Sequence, residues 1–298
     1  MNIVIFGAGA IGSLFGALLS KKNNVVLIAR KSHVDNIKRK GLLITGLTNK
    51  KINIDAFEKI EDLSIKPELV IITVKSNDTY KVIQKIKNHT YKNTIILSLQ
   101  NGLNNIDDIK QFIDEEKIIA GITTHGVIFT KPGEIKHTGI GKTIIGELDG
   151  SESDRIKKIS KVFCNSNIQT QIDKNIIKQI WIKAIINSSI NPLTTIFKCK
   201  NGYLLENPIL EKIVEKICFE STKIAKSENI LVNYKNMIIQ TKQVIADTSD
   251  NYSSMYQSIK KKKKTEIDSI NGVLVNIGEK NNQDADINKI LINLIHRI

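Results

Sequence analysis

The spacing of apolar and polar positions divides the chain into two parts. Up to about Gln171, apolar runs of strand length alternate with helical periods; after Asp173 every patterned stretch has the period of a helix. Strand is predicted over residues 2–6 (N-I-V-I-F), followed by a glycine turn, an apolar helix over 13–20 and a second strand over 25–29. Residues 41–57 read as a β-hairpin-like excursion. The fully apolar runs 69–74, 94–99 and 118–123 have the character of buried parallel strands. Short alternating runs at 127–130, 134–138 and 143–145, separated by Pro132-Gly133 and Gly139-Ile140-Gly141, predict a small antiparallel extension of that sheet. A helix over about 152–165 and a short strand near 168–171 close the first part. Helices are then predicted at 181–192, 208–228, 235–246, from about 260, and at 286–297. There are no internal repeats. The predicted fold is an α/β Rossmann-type dinucleotide-binding domain, residues 1–172, followed by an all-α domain, residues 173–298, expected to carry the substrate and catalytic groups.

The first domain carries the stronger chemical signal. Gly7-Ala8-Gly9-Ala10-Ile11-Gly12 lies between a strand and a helix, the context in which GxGxxG indicates dinucleotide binding. The glycines permit a tight turn, close approach of the pyrophosphate and close helix packing, and the helix N-terminus offers free N–H groups. The second strand ends at Arg30, with Lys31 beside it and no carboxylate before Asp35. Arg in that place accommodates a 2′-phosphate, so the expected cofactor is NADP(H). Lys75 and Asn101 also follow the carboxyl ends of predicted strands, where ligands of open α/β sheets bind. The strand over 118–123 leads to His125-Gly126, and Gly126 is counted with these cofactor residues.

In the second domain the stretch W-I-K-A-I-I-N-S-S-I-N-P, residues 181–192, places Lys183, Asn187 and Asn191 four apart, hence near one helix face. Apolar residues fill much of the remaining circumference, so the helix is expected to be buried among others. An anionic, carbonyl-bearing ligand is one way to satisfy three polar groups there. A Lys reaching solvent and two Asn tied to backbone is the other, and this segment alone favours it. Pro192 is expected to end or kink the helix, leaving Asn191 at a helix end. Trp181, about 200° around the helix from Lys183, should pack away from the ligand side.

Composition narrows the function classes. With 41% hydrophobic and 25% charged residues in 298, the chain is an ordinary globular one. The net charge of +14 invites a nucleic-acid reading, but the basic residues are dispersed and aromatics are only 5%, so a specific nucleic-acid partner is not expected. Cys164, Cys199 and Cys218 have no CxxC spacing and read as reduced cytosolic thiols. No metal-ligand spacing or membrane-spanning run occurs; no metal and no leader are expected, and a cytoplasmic location is. The Lys260 to Lys264 run reads as a solvated face.

These motifs together resemble the 2-dehydropantoate 2-reductase (ketopantoate reductase) family along the whole chain. The likeness rests on G-A-G-A-I-G at the start, V-K at Lys75, Q-N-G at Asn101, the Trp181 helix, K-N-G at 200–202, N-x-S-S-M at 251–255 and T-E-I-D-x-I-N-G at 265–272. The resemblance implies NADPH-dependent reduction of a small 2-keto acid, with Lys183 as general acid toward the C2 carbonyl and Glu266 as its catalytic companion near the nicotinamide end. It implies Asn187, Asn191, Asn201, Asn251 and Ser254 around the substrate, and Asn101 between cofactor and substrate. Two departures stand out: Gln257-Ser258 where the family has Gln-Asp, and Gly126 where it often has Ala. Another NADP-dependent hydroxyacid dehydrogenase of the same architecture and a non-catalytic NADP-binding sensor are the alternatives. A monomer or homodimer, with a cleft between the two domains, is expected.

Overall fold

Strands covered on both faces have no solvent side, and the apolar runs of the first part of the chain behave accordingly. In the computed structural model, which describes residues 1–298, Ile3–Ile5, Leu69–Ile72 and Ile96–Leu97 are fully shielded from solvent. Twelve strands form: β1 (Asn2–Phe6), β2 (Asn24–Ile28), β3 (Leu42–Gly46), β4 (Lys50–Ile52), β5 (Asp55–Phe57), β6 (Leu69–Ile72), β7 (Ile95–Ser98), β8 (Ile118–Thr123), β9 (Gly126–Lys131), β10 (Glu134–Gly139), β11 (Thr143–Glu147) and β12 (Thr170–Ile172). Eight of them make one sheet in the order β12-β11-β8-β7-β6-β1-β2-β5. All neighbours in it are parallel except β11 against β8. The run β5-β2-β1-β6-β7-β8 is the doubly wound dinucleotide order, whose switch point falls at β1. Its helices are α1 (Ala10–Leu19), α2 (Lys31–Lys40), α3 (Thr79–Ile86), α4 (Asn105–Lys110) and α5 (Asp154–Cys164).

Two local expectations are corrected here. The excursion over 41–57 is not one hairpin, because β5 joins the main sheet beside β2 with Ala56 buried. Nor are 127–138 an extension of that sheet. β9 and β10 belong to a separate four-stranded sheet, β4-β3-β10-β9, in which β10 runs parallel to β3 and pairs Glu134 with Leu43. Its apolar residues Leu42, Ile44 and Ile135 join the same core as Leu14 and Phe15 of α1. Of the three runs expected to extend the main sheet, only β11 joins it.

Residues 1–100 with 105–177 form one compact unit, and residues 101–104 with 178–298 form the other. The second is built from α6 (Ile176–Ile196), α7 (Tyr203–Glu206), α8 (Pro208–Ser227), α9 (Tyr234–Asp247), α10 (Ser254–Lys260), α11 (Val273–Lys280) and α12 (Asp286–His296). No helix is long and apolar enough to cross a membrane.

Of the two outcomes expected at Pro192, an end or a kink, the end is overturned: helix α6 continues to Ile196. Proline at 192 cannot donate to the carbonyl of Ser188, four residues back. Asn271 Nδ2 donates to that Ser188 carbonyl instead, at 3.2 Å. Asn271, fully buried, also donates to Asn288 Oδ1 at 2.8 Å, and Asn288 in turn donates to Glu220 Oε1 at 2.7 Å. The Glu220 carboxylate accepts the backbone amides of Ile287 and Asn288 as well, capping the first turn of α12. A second correction concerns the lysine run. Helix α10 stops at Lys260, Lys262 adopts a left-handed φ of 52°, and the chain resumes as a π-helical turn over Asp268–Gly272 that continues into α11. π-Turns inside helices concentrate at functional sites.

Candidate active site

In the first unit the glycine turn is shaped by contacts that exclude side chains. Gly7 has φ +97°, and a Cβ there would fall 2.4 Å from Val74 Cγ1 and 2.6 Å from Val74 N. The turn is tied to the end of β2, since the amides of Gly7 and Ala8 both donate to the Ile28 carbonyl, at 3.0 and 2.9 Å. Thr73 Oγ1, against Gly12, donates to the Gly7 carbonyl at 2.9 Å. Gly9 differs: the nearest atom to a Cβ on it would be Gly7 O, 3.8 Å away, so the space above it is open. Helix α1 starts at Ala10 with no side-chain cap, and the amides of Ala10, Ile11 and Gly12 have no carbonyl one turn back within the helix. Open space over a glycine beside uncapped helix amides is what a diphosphate requires, so these residues fit a dinucleotide.

The other first-unit candidates sit as follows. Arg30 is exposed at the start of α2, directly after β2, and Lys31 pairs with Asp35 at 3.1 Å. Lys75 follows β6 and precedes a single 3₁₀ turn, Ser76–Asp78. Gly126 opens β9 opposite Gly139, and a Cβ on it would meet Thr138 Oγ1 at 2.9 Å. Glycine at 126 is thus explained by the pairing of β9 with β10.

In the second unit the continuity of α6 keeps Lys183, Asn187 and Asn191 on one face. Trp181, on another, is buried. Lys183 is largely withdrawn from water. Burial pulls its ammonium down to about 8, against the opposing pull of the Glu266 carboxylate. Asn101, in the 101–104 segment of this unit, donates through Nδ2 to Glu266 Oε2 at 3.2 Å, and Leu103 N donates to the Ser269 carbonyl at 3.2 Å. Glu266 therefore connects Asn101 and Lys183, which lie 82 positions apart in the chain.

Asn191, Ser254 and Glu266 line one small pocket with Met255, Ser258 and Ile270. Its volume of about 10 Å³ has room for about one water molecule. Met255, Ser258 and Ile270 had no assigned role in the sequence reading. The available signal was position, as Ser258 is one turn after Ser254 and donates to its carbonyl at 3.0 Å. Asn201 and Asn251 meet elsewhere: Asn201 N donates to the Asn251 carbonyl at 2.9 Å. Asn201 Nδ2 donates to Thr248 Oγ1 at 2.8 Å, and that hydroxyl donates to the Val244 carbonyl at 2.6 Å. The amide orientation is thereby fixed, and Asn201 Oδ1 is buried without a hydrogen-bond partner. Asn187 is half-buried on the α6 face between Lys183 and Asn191, and Asn251 and Ser254 are exposed. No group of three or more His, Cys, Asp or Glu is placed to hold a metal ion.

A dinucleotide turn in one unit and a desolvated lysine facing a glutamate in the other define the class of nicotinamide-dependent oxidoreductases. Comparison with known proteins narrows it. The family model described as ketopantoate reductase PanE/ApbA matches residues 3–150, and its C-terminal counterpart matches residues 175–298. The chain belongs to this family. A 2-dehydropantoate 2-reductase of Pyrococcus abyssi is 39% identical over 296 residues, covering 99% of this chain and 97% of that one. Among solved structures, D-mandelate dehydrogenase with NADH and anilino(oxo)acetate superimposes with a TM-score of 0.94 at 30% identity, over 100% of this chain and 98% of the other. A PanE/ApbA family ketopantoate reductase from Ralstonia eutropha JMP134 does so at 0.91 and 25% identity, over 99% and 97%.

Proposed function

We propose that the chain reduces 2-dehydropantoate to pantoate with NADPH. The observation that carries this reading is the Lys183–Glu266 arrangement, a desolvated ammonium beside a carboxylate on a helix face that also bears Asn187 and Asn191. The amides at Gly9–Gly12 would hold the diphosphate of NADPH and Arg30 its 2′-phosphate, with Lys75 and Asn101 as further contacts, and the bound cofactor would supply the hydride. As the C2 carbonyl gains the hydride, its oxygen takes on negative charge. Lys183 Nζ then gives a proton to that oxygen and recovers one from water, so the balance is one hydride and one proton added across C=O. Glu266 keeps Lys183 protonated near neutral pH. Asn191, Ser254 and Asn187 offer neutral polar groups for the substrate carboxylate, with Asn251 nearby in sequence. Asn201 Oδ1, an acceptor with no protein donor, suits a substrate hydroxyl. The reading makes the protein a cytoplasmic enzyme, a monomer or homodimer, with no nucleic-acid or membrane partner.

The test is the loss of reduced-nicotinamide absorbance with 2-dehydropantoate, run for wild type and Lys183→Ala and with NADPH and NADH in parallel. Turnover preferring NADPH, lowered on the order of 10²- to 10⁴-fold in the variant, is expected. A second reading follows from the likeness to D-mandelate dehydrogenase: a related 2-keto acid with an aryl side chain is the substrate. Efficient turnover of phenylglyoxylate in place of 2-dehydropantoate would favour it.

A further inference from the structure

The first unit contains a second, larger cavity that none of these roles uses. It measures about 320 Å³ and lies at the far end of α1, where Lys21 meets Thr48 and Asn49 of the turn joining β3 to β4 and Lys50 at the start of β4. The ten residues of α1 separate it by about 15 Å from the glycine turn. His125, His137 and Asn167 complete its polar wall, and no carboxylate lines it. We infer that this cavity binds a phosphate monoester carrying a small apolar body, held by Lys21 and Lys50.

Two independent features carry this. Lys21 and Lys50 both line the cavity and neither has an acidic partner there; Lys50 lowers the Lys21 ammonium. Two adjacent like charges are relieved by a dianion between them. The rim is apolar: Leu47 and Ile140 line the cavity and are 60% and 76% exposed.

Titration of the full-length protein with inorganic phosphate and with phenyl phosphate, followed by calorimetry and by ³¹P line broadening, tests this. Saturable binding at one site per chain is expected, tighter for phenyl phosphate, and weakened about tenfold or more in Lys21→Gln/Lys50→Gln but not in Arg30→Ala. Thermal melting verifies that the double variant is folded. Absence of saturation, or weakening by Arg30→Ala with the double variant unaffected, overturns the proposal, because the anion would then be occupying the dinucleotide turn. Equal affinity for the two probes, unchanged in Leu47→Ser, overturns the apolar body.

Discussion

A lysine that must give up a proton during ketone reduction works best when its pKa lies near the operating pH. Burial brings Lys183 down to about 8, and the Glu266 carboxylate opposes a further fall. The acid must be protonated to act, so kcat/KM for reduction should be level below about 8 and decline above it, tenfold per pH unit. Glu266→Gln removes the stabilising charge while keeping an amide oxygen for Asn101 Nδ2. Its basic limb should therefore move to lower pH, and activity at neutral pH should fall because less of the lysine is charged. A profile whose limb stays in place in Glu266→Gln would exclude the carboxylate from tuning Lys183. At this scale the sequence was informative about identity and less so about environment. The four-residue spacing of Lys183, Asn187 and Asn191 announced a shared face, but nothing near Lys183 in the chain indicates a carboxylate 83 positions away. That neighbour came from the motif likeness, not from periodicity.

Helix α6 shows how an element can depend on a distant side chain. Its passage through Pro192 leaves the Ser188 carbonyl without its usual amide, and Asn271 takes that place while also serving Asn288. Asn271→Ala would strand both acceptors in the interior, costing on the order of 2–4 kcal/mol, measured by urea unfolding. Pro192→Ala restores an N–H to the Ser188 carbonyl. In the Asn271→Ala background it should recover part of the loss, with a coupling of about 1 kcal/mol in the double-mutant cycle. Strict additivity would mean that Asn271 and Pro192 do not share that carbonyl. A local rule about proline correctly located the missing hydrogen bond and misjudged its consequence, since the replacement donor comes from 83 residues downstream. The same limit explains the second sheet. Alternation identified β9 and β10 as strands, but β3, the partner of β10, lies about ninety positions earlier, and local patterning carries no information about such pairings.

Across the whole molecule, the doubly wound order and the all-helical second unit were legible because both are written in repeated local patterns: apolar runs between helices, then helices alone. What patterning could not reveal was that three of five histidines would be enclosed in the first unit. His33 is 3% exposed, held between Ser13 Oγ at 3.1 Å and the Gly133 amide at 2.8 Å, and burial lowers it to about 4. His125 is likewise lowered to about 4, by burial first and then by His137, which burial also lowers. These folded-state values lie below the unfolded value of about 6.5, so the unfolded chain binds more protons throughout the interval. Stability should be intact above about 6.5 and fall as pH drops toward about 4. The loss should be about 3 kcal/mol for each of His33 and His125, together comparable to the stability of a typical domain. The net charge of +14 at neutral pH adds repulsion in the same direction as carboxylates protonate. Denaturant unfolding across this interval, followed by a probe in the first unit, separates the two causes. His33→Gln should lower stability at neutral pH yet flatten the slope by about 1.4 kcal/mol per pH unit in the middle of the window. A slope unchanged by the substitution would assign acid sensitivity to overall charge instead.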